Sequence, residues 1–218
     1  MSDDGFATMV RHARGFFTEL AANNEKAWFD ARKGHYDAEI RKPAEFFAGL
    51  MAEELSRMVG DPVGAKVFRI HRDVRFSKDK TPYKTHLHIS FPRGGDDPLV
   101  PGFFFALDAR EITLHHGVFD LKGEALTRWR AFVDRWGALL EEAIEESGAR
   151  LGHYGPPPLK RVPKPYDQDH PQGELLRRKG MILTRDLDPD WERAGFFDAV
   201  VAGYERFLPV TRLIGSHL

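Results

Sequence analysis

The chemistry available to this chain is concentrated between Lys66 and His88, where KVFRIHRDVRFSKDKTPYKTHLH sets seven Lys or Arg residues beside two Asp residues. The window carries about +5 of formal charge in a chain whose net charge is −1, so the remainder sums to about −6. Guanidinium forks and ammonium groups converging from two strands and their loop are suited to holding a phosphate or a carboxylate. Arg69, Arg72, Arg75, Lys78, Lys80 and Lys84 are therefore the candidate anion ligands, with Asp73 and Asp79 to orient them. Tyr83 either packs the loop or lines the site, and His86 is a further candidate on the following strand. The competing reading is a salt-bridged hairpin with solvated lysines, since exposed ion pairs contribute little. Two carboxylates cannot neutralise seven bases, and that excess favours anion binding.

Other chemistries have weaker signals. His71, His86 and His88 share a face only if their strands pair in a suitable register, and no HExxH motif supports a metal site, so none is expected. There is no GxSxG elbow, no GxGxxG and no GxxxxGK, so the usual nucleophile, dinucleotide and P-loop signatures are missing. The absence of cysteine removes disulfides, thiolate nucleophiles and cysteine-held metal clusters. A second polar group, Lys160, Arg161, Lys164, Tyr166, Asp167, Asp169 and His170, lies in a proline-rich tract that either crosses the sheet to join the basic cluster or forms a solvated strap.

The elements that must position these residues follow from periodicity. Met9, Val10, Phe16, Phe17 and Leu20 recur at helical spacing, and Asn23 and Asn24 stop that helix, Asn24 serving as cap for the next. Pro43 suits the first turn of a third helix carrying Phe46, Phe47, Leu50, Met51, Leu55 and Met58, which ends near Gly60. Val67 to Arg72 alternates as a strand, with Phe68 and Ile70 on one face and Arg69 on the other. In THLHISF, Thr85, Leu87, Ile89 and Phe91 share a face opposite His86, His88 and Ser90. FFFAL and EITLHH are two further strands, joined so closely that an antiparallel meander is the simplest assembly. A long amphipathic helix follows, and Gly148 terminates it.

With 218 residues, 42% apolar and 30% charged, the chain is expected to form one α+β domain, a mainly antiparallel sheet covered by helices. Its parts are a helical segment 6–60, a strand-rich core 63–121, a helix 123–148, a proline-rich strap 155–173 and a C-terminal helix 189–208. The start MSDDGF has neither the basic start nor the apolar block of a signal peptide, and no apolar run suggests a membrane span, so a cytoplasmic location is expected. Near-zero net charge argues against indiscriminate coating of nucleic acid but leaves room for a local basic patch.

Three stretches, NNEKAWFDARKGHYDAEIRKPA, FRIHRDVRFSKDKTPYKTH and LKRVPKPYDQDHPQGELLRRK, make the chain resemble, over nearly its full length, the uncharacterised bacterial and fungal family DUF2461, a domain of unknown function. The family motif coincides here with Arg69, Arg72, Asp73, Arg75, Phe76, Asp79, Lys80, Pro82, Tyr83 and Lys84, while Pro165 departs from the small residue expected before Tyr166. The resemblance implies a shared α+β domain and brings no activity or cofactor. From the residues themselves, the first expectation is binding of a phosphorylated small molecule or nucleotide, with or without a reaction. Nucleic-acid binding and recognition of an acidic protein partner stand behind it.

Overall fold

A computed structural model describes residues 5–95 and 97–218; Met1 to Asp4, where the sequence begins, and Asp96 in the expected loop after Phe91 lie outside the described residues. Strands β1 (Lys66–Val67), β2 (His86–Phe91), β3 (Gly102–Asp108), β4 (Ile112–Val118), β5 (Arg150–Leu151) and β6 (Met181–Asp186) form one sheet in the order β1-β2-β3-β4-β6-β5. Every neighbouring pair is antiparallel. The expected meander is β2-β3-β4, set in register by His88 opposite Ala106 and Phe104 opposite His115.

Because side chains alternate along a strand, this register sorts the sheet into two unlike faces. Leu87, Ile89, Phe91, Phe103, Phe105, Leu107, Ile112 and Leu114 are buried on one of them. Helices α1 (Gly5–Ala22), α2 (Lys26–His35), α3 (Lys42–Val59), α4 (Gly123–Ser147), α5 (Gly173–Leu176), α6 (Trp191–Ala194), α7 (Phe196–Glu205) and α8 (Leu208–His217) complete the fold. α1, α3 and α7 pack against the strands, and α4 runs along α8. Phe47, Phe103, Phe105, Phe196 and Phe207 are wholly enclosed between these layers. Each such ring stabilises the fold by about 1.5–3 kcal/mol relative to exposure.

Local sequence explains most element ends. α3 stops at Gly60 and α4 at Gly148, both left-handed (φ 71° and 64°), a conformation that costs glycine nothing. Three differences from the sequence reading have physical causes. Asn24 does not cap α2; its amide donates to the Tyr83 carbonyl at 2.9 Å and its side-chain oxygen accepts from the Tyr83 N–H at 3.1 Å, so it clamps the helical hairpin to the hairpin loop. Pro43 does fall in the first turn of α3, but no break precedes it: α2 runs into α3 through a π-helical turn, Tyr36–Arg41, whose widened ladder makes room for a ring that would clash with a regular carbonyl four residues back. The single C-terminal helix over 189–208 is instead α6, α7 and the start of α8, broken at Gly195, where φ is 91°.

Candidate functional site

Among the described residues the helices that meet the strands most, α1, α3 and α7, lie on the first face, and the side chains of the second are polar and aromatic. Phe68 continues the β1 pairing by donating its N–H to the His88 carbonyl at 2.9 Å, and its ring stacks on His88 with centroids 5.2 Å apart. His86 lies 6.1 Å beyond His88, Phe104 lies 6.5 Å across from it, and Tyr154 meets His115 edge-on at 4.8 Å. Together with Lys84, Phe119 and Ile182 these side chains enclose a cleft of about 400 Å³. A second depression of about 400 Å³ adjoins it and shares His86, His88 and Tyr154; its far wall is Asp108, Glu111, Thr113 and Arg150. Each lies within the 300–1,000 Å³ range of small-molecule sites. A larger groove of about 760 Å³ beside α6 and α7 is walled by Asp and Arg side chains whose charges oppose one another, and its one aromatic residue, Trp191, is buried. The cleft on the second face is therefore the better candidate.

His115 is the fixed point of the floor. It is 2% exposed, and its two ring nitrogens meet the Thr113 and Thr184 hydroxyls, each at 3.0 Å, one nitrogen donating and the other accepting. Burial pushes its pKa down to about 4, with His88 and Arg150 adding to the effect. His88 is likewise lowered to about 4 by burial and then by His86 and Lys84, and His86 is lowered by burial and Lys84. These imidazoles are neutral at pH 7, so the cleft's positive charge comes from its ammonium groups. Lys84 and Lys66 each stand 5.4 Å from the Phe68 ring centroid. Burial, followed by the nearby charge of Arg69, lowers the Lys84 pKa, and an anion arriving there would relieve that repulsion. Flat rings, neutral imidazole donors and acceptors, and ammonium groups that, among the described residues, no carboxylate neutralises thus meet on one surface.

The residues singled out by sequence divide into three groups. Lys84 and His86 line the cleft, and Arg69 is exposed beside Lys84. Arg72, Asp73, Arg75, Asp79 and Lys80 build the hairpin loop. Arg72 donates to Asp79 at 2.6 Å and to the Thr81 carbonyl at 3.0 Å, Arg75 grips Asp73 with two bonds of 2.9 and 2.6 Å, and Lys80 donates to the Val74 carbonyl at 2.9 Å. Lys78 projects from this loop into solvent. Tyr83 belongs to the core: it is 4% exposed and stacks on Phe29 at 4.2 Å, away from the cleft. His71 joins that same aromatic group against Phe29 and Tyr83, so it does not share a face with His86 and His88.

Phe68 and Ile70 do not share a face either, since Phe68 lines the cleft and Ile70 is buried in the core. The β1–β2 pairing shifts from Phe68 opposite His88 to His71 opposite Tyr83, and this irregularity breaks the alternation. Of the proline-rich tract, Tyr166 and His170 pack beside α4, His170 meeting Asp134 at 3.1 Å, and the Lys164–Pro165 peptide is cis. Tyr154, just ahead of the tract, reaches the cleft.

Sequence reasoning passed over His115, Phe104, Phe119 and Tyr154. For the two strand residues a signal existed: Phe103, Phe105 and Leu114 are the core positions of β3 and β4, so Phe104 and His115 must face the other way. Phe119 and Tyr154 come from loops and had none.

Helices on one sheet face and a ring-lined, cationic cleft on the other define a layered α+β protein with an antiparallel sheet. Within that class the chain belongs to the family described as conserved hypothetical protein (DUF2461), whose profile matches residues 12–212. No curated protein matches the chain.

Proposed function

We propose that the second face of the sheet binds a phosphorylated small molecule or nucleotide. Its flat ring lies in the cleft against Phe68, His88 and Phe104, and its phosphate sits at Lys84 with Arg69 at the rim. The observation that carries this reading is the meeting of half-buried rings with ammonium groups that, among the described residues, no carboxylate neutralises: Lys66 and Lys84 flank the Phe68 ring, and Phe68 stacks on His88. Stacking supplies affinity without demanding one base, and the cations select for the anionic end. The concavity favours a small ligand over a flat contact with an acidic protein.

Titration calorimetry at low salt, with nucleosides, nucleoside monophosphates and inorganic phosphate, tests the reading. Monophosphates should bind better than the matching nucleosides or phosphate alone, and Lys84→Ala should weaken monophosphate binding by about tenfold or more, the value of a charge-assisted hydrogen bond. Failure of every phosphorylated compound to bind would reject the assignment.

A further inference from the structure

Beyond the cleft, the loop between Arg72 and Thr81 holds a phenyl ring out in water. Phe76 is 96% exposed, and the loop that carries it is cross-braced rather than loose. Asp79 accepts from Arg72 at 2.6 Å and from the Thr81 N–H at 2.9 Å, Lys80 donates to the Val74 carbonyl at 2.9 Å, and the Ser77 N–H reaches the same carbonyl at 3.3 Å. These bonds consume Arg72, and Asp73 consumes Arg75. Among the described residues Arg69, Lys78, Lys80 and Lys84 have no carboxylate within ion-pair distance, so their charge remains available. Arg69 connects the two regions: it is exposed between Phe68 on the cleft wall and Arg72 at the loop base, where the Lys84 N–H donates to the Ile70 carbonyl and the Arg72 N–H to the Pro82 carbonyl, each at 2.8 Å. Aromatic platforms and free cations therefore continue from the cleft to the loop tip.

We propose that the natural ligand is a single-stranded polynucleotide. Its terminal nucleotide occupies the cleft, the adjoining phosphates pass Lys84 and Arg69, and a further base stacks on Phe76 between the charges of Lys78 and Lys80. This rests on the cleft reading above. A duplex fits poorly, because its bases are already stacked and only unpaired bases can lie flat on side-chain rings. A bilayer surface fits poorly as well, because His88 and Phe104 lie in a concavity that a membrane cannot enter, and one phenyl with a few cations is a weak anchor.

The test compares a nucleoside monophosphate with single-stranded DNA and RNA oligomers on the order of ten nucleotides long, by calorimetry and fluorescence anisotropy, for the native chain and Phe76→Ala. The oligomer should bind more tightly than the monophosphate, with a slope of about −2 to −3 in log affinity against log salt, as expected for three or four phosphate contacts. Phe76→Ala should weaken oligomer binding about five-fold or more, the lower end of what a stacked base contributes, while leaving monophosphate binding unchanged. If monophosphates bind but a longer strand gains nothing, or if Phe76→Ala leaves oligomer affinity intact, the polynucleotide inference falls and the cleft reading stands. If neither monophosphate nor oligomer binds, the cleft reading fails and takes this one with it. Phe76-dependent binding to vesicles of anionic phospholipid, with none to oligomers, would overturn the choice of partner.

Discussion

Arg69 and Arg72 lie three positions apart in the same basic string, yet their surroundings assign them opposite work. The Arg72 side chain is 26% exposed and ties Asp79 and Thr81 into the loop, whereas Arg69 is exposed and unpaired among the described residues. Hydrogen bonds from the Thr81 backbone and hydroxyl, and then from Arg72, hold the Asp79 carboxyl down at about 2. Arg72→Ala should lower the melting temperature by a few degrees, a moderate loss because Asp79 can still turn to water. Arg69→Ala should leave the melting temperature alone and weaken anion binding. Thermal denaturation of both variants, with and without a nucleoside monophosphate, separates the roles. The reverse pattern would mean that the residues around the pairing shift between Phe68 and His71 have exchanged faces.

Strand β4 shows how one element serves both faces of the sheet. His115 and His116 are adjacent, so alternation sends His115 to the cleft and His116 into the helix-covered core. There His116 donates its Nδ1–H to the Gly102 carbonyl at 3.1 Å and accepts at Nε2 from the Thr211 hydroxyl of α8 at 3.0 Å, tying that helix to the sheet. Thr211→Val keeps the volume but leaves an enclosed ring nitrogen without a partner, and should cost about 1–3 kcal/mol in urea denaturation. An unchanged midpoint would show that packing alone holds α8.

At the scale of the whole molecule, three neutral imidazoles couple stability to pH. His88 and His115 are lowered to about 4 and His116 to about 3, in each case by burial first, against an ordinary value of 6.5. Between these limits the unfolded chain binds protons that the folded chain refuses, so stability is fully present above about pH 6.5 and declines as pH falls toward 4. Melting temperatures from pH 8 downward should therefore begin to drop below about 6.5, before carboxylate protonation contributes. A flat profile to pH 4 would show that the folded protein accepts charge at these rings. A bound phosphate near His88 should make the decline shallower without moving its onset, because it raises that ring's pKa in the folded state while the onset is set by the unfolded chain.

Much of this was readable in the chain itself. Helical spacing located α1, α3 and α4, glycine marked the ends of α3 and α4, and the short joins between strands made β2-β3-β4 antiparallel, because all of these follow from local sterics and period. Charge counting drew attention to the stretch that holds Lys84 and His86, both of which line the cleft, and the family resemblance is matched over residues 12–212. Charge counting could not decide which bases were already spent, because the Arg72–Asp79 and Arg75–Asp73 pairs depend on how the loop folds back on itself. Nor could period alone reveal that the helices cover one sheet face and leave the other open. That outcome depends on where α1, α3, α7 and α8 dock, and it brings Phe68, His88, Phe104, His115 and Tyr154, distant in sequence, around one cleft. Local sequence sets which way each side chain points along its strand, but only long-range packing determines which of those faces meets another layer and which is left open.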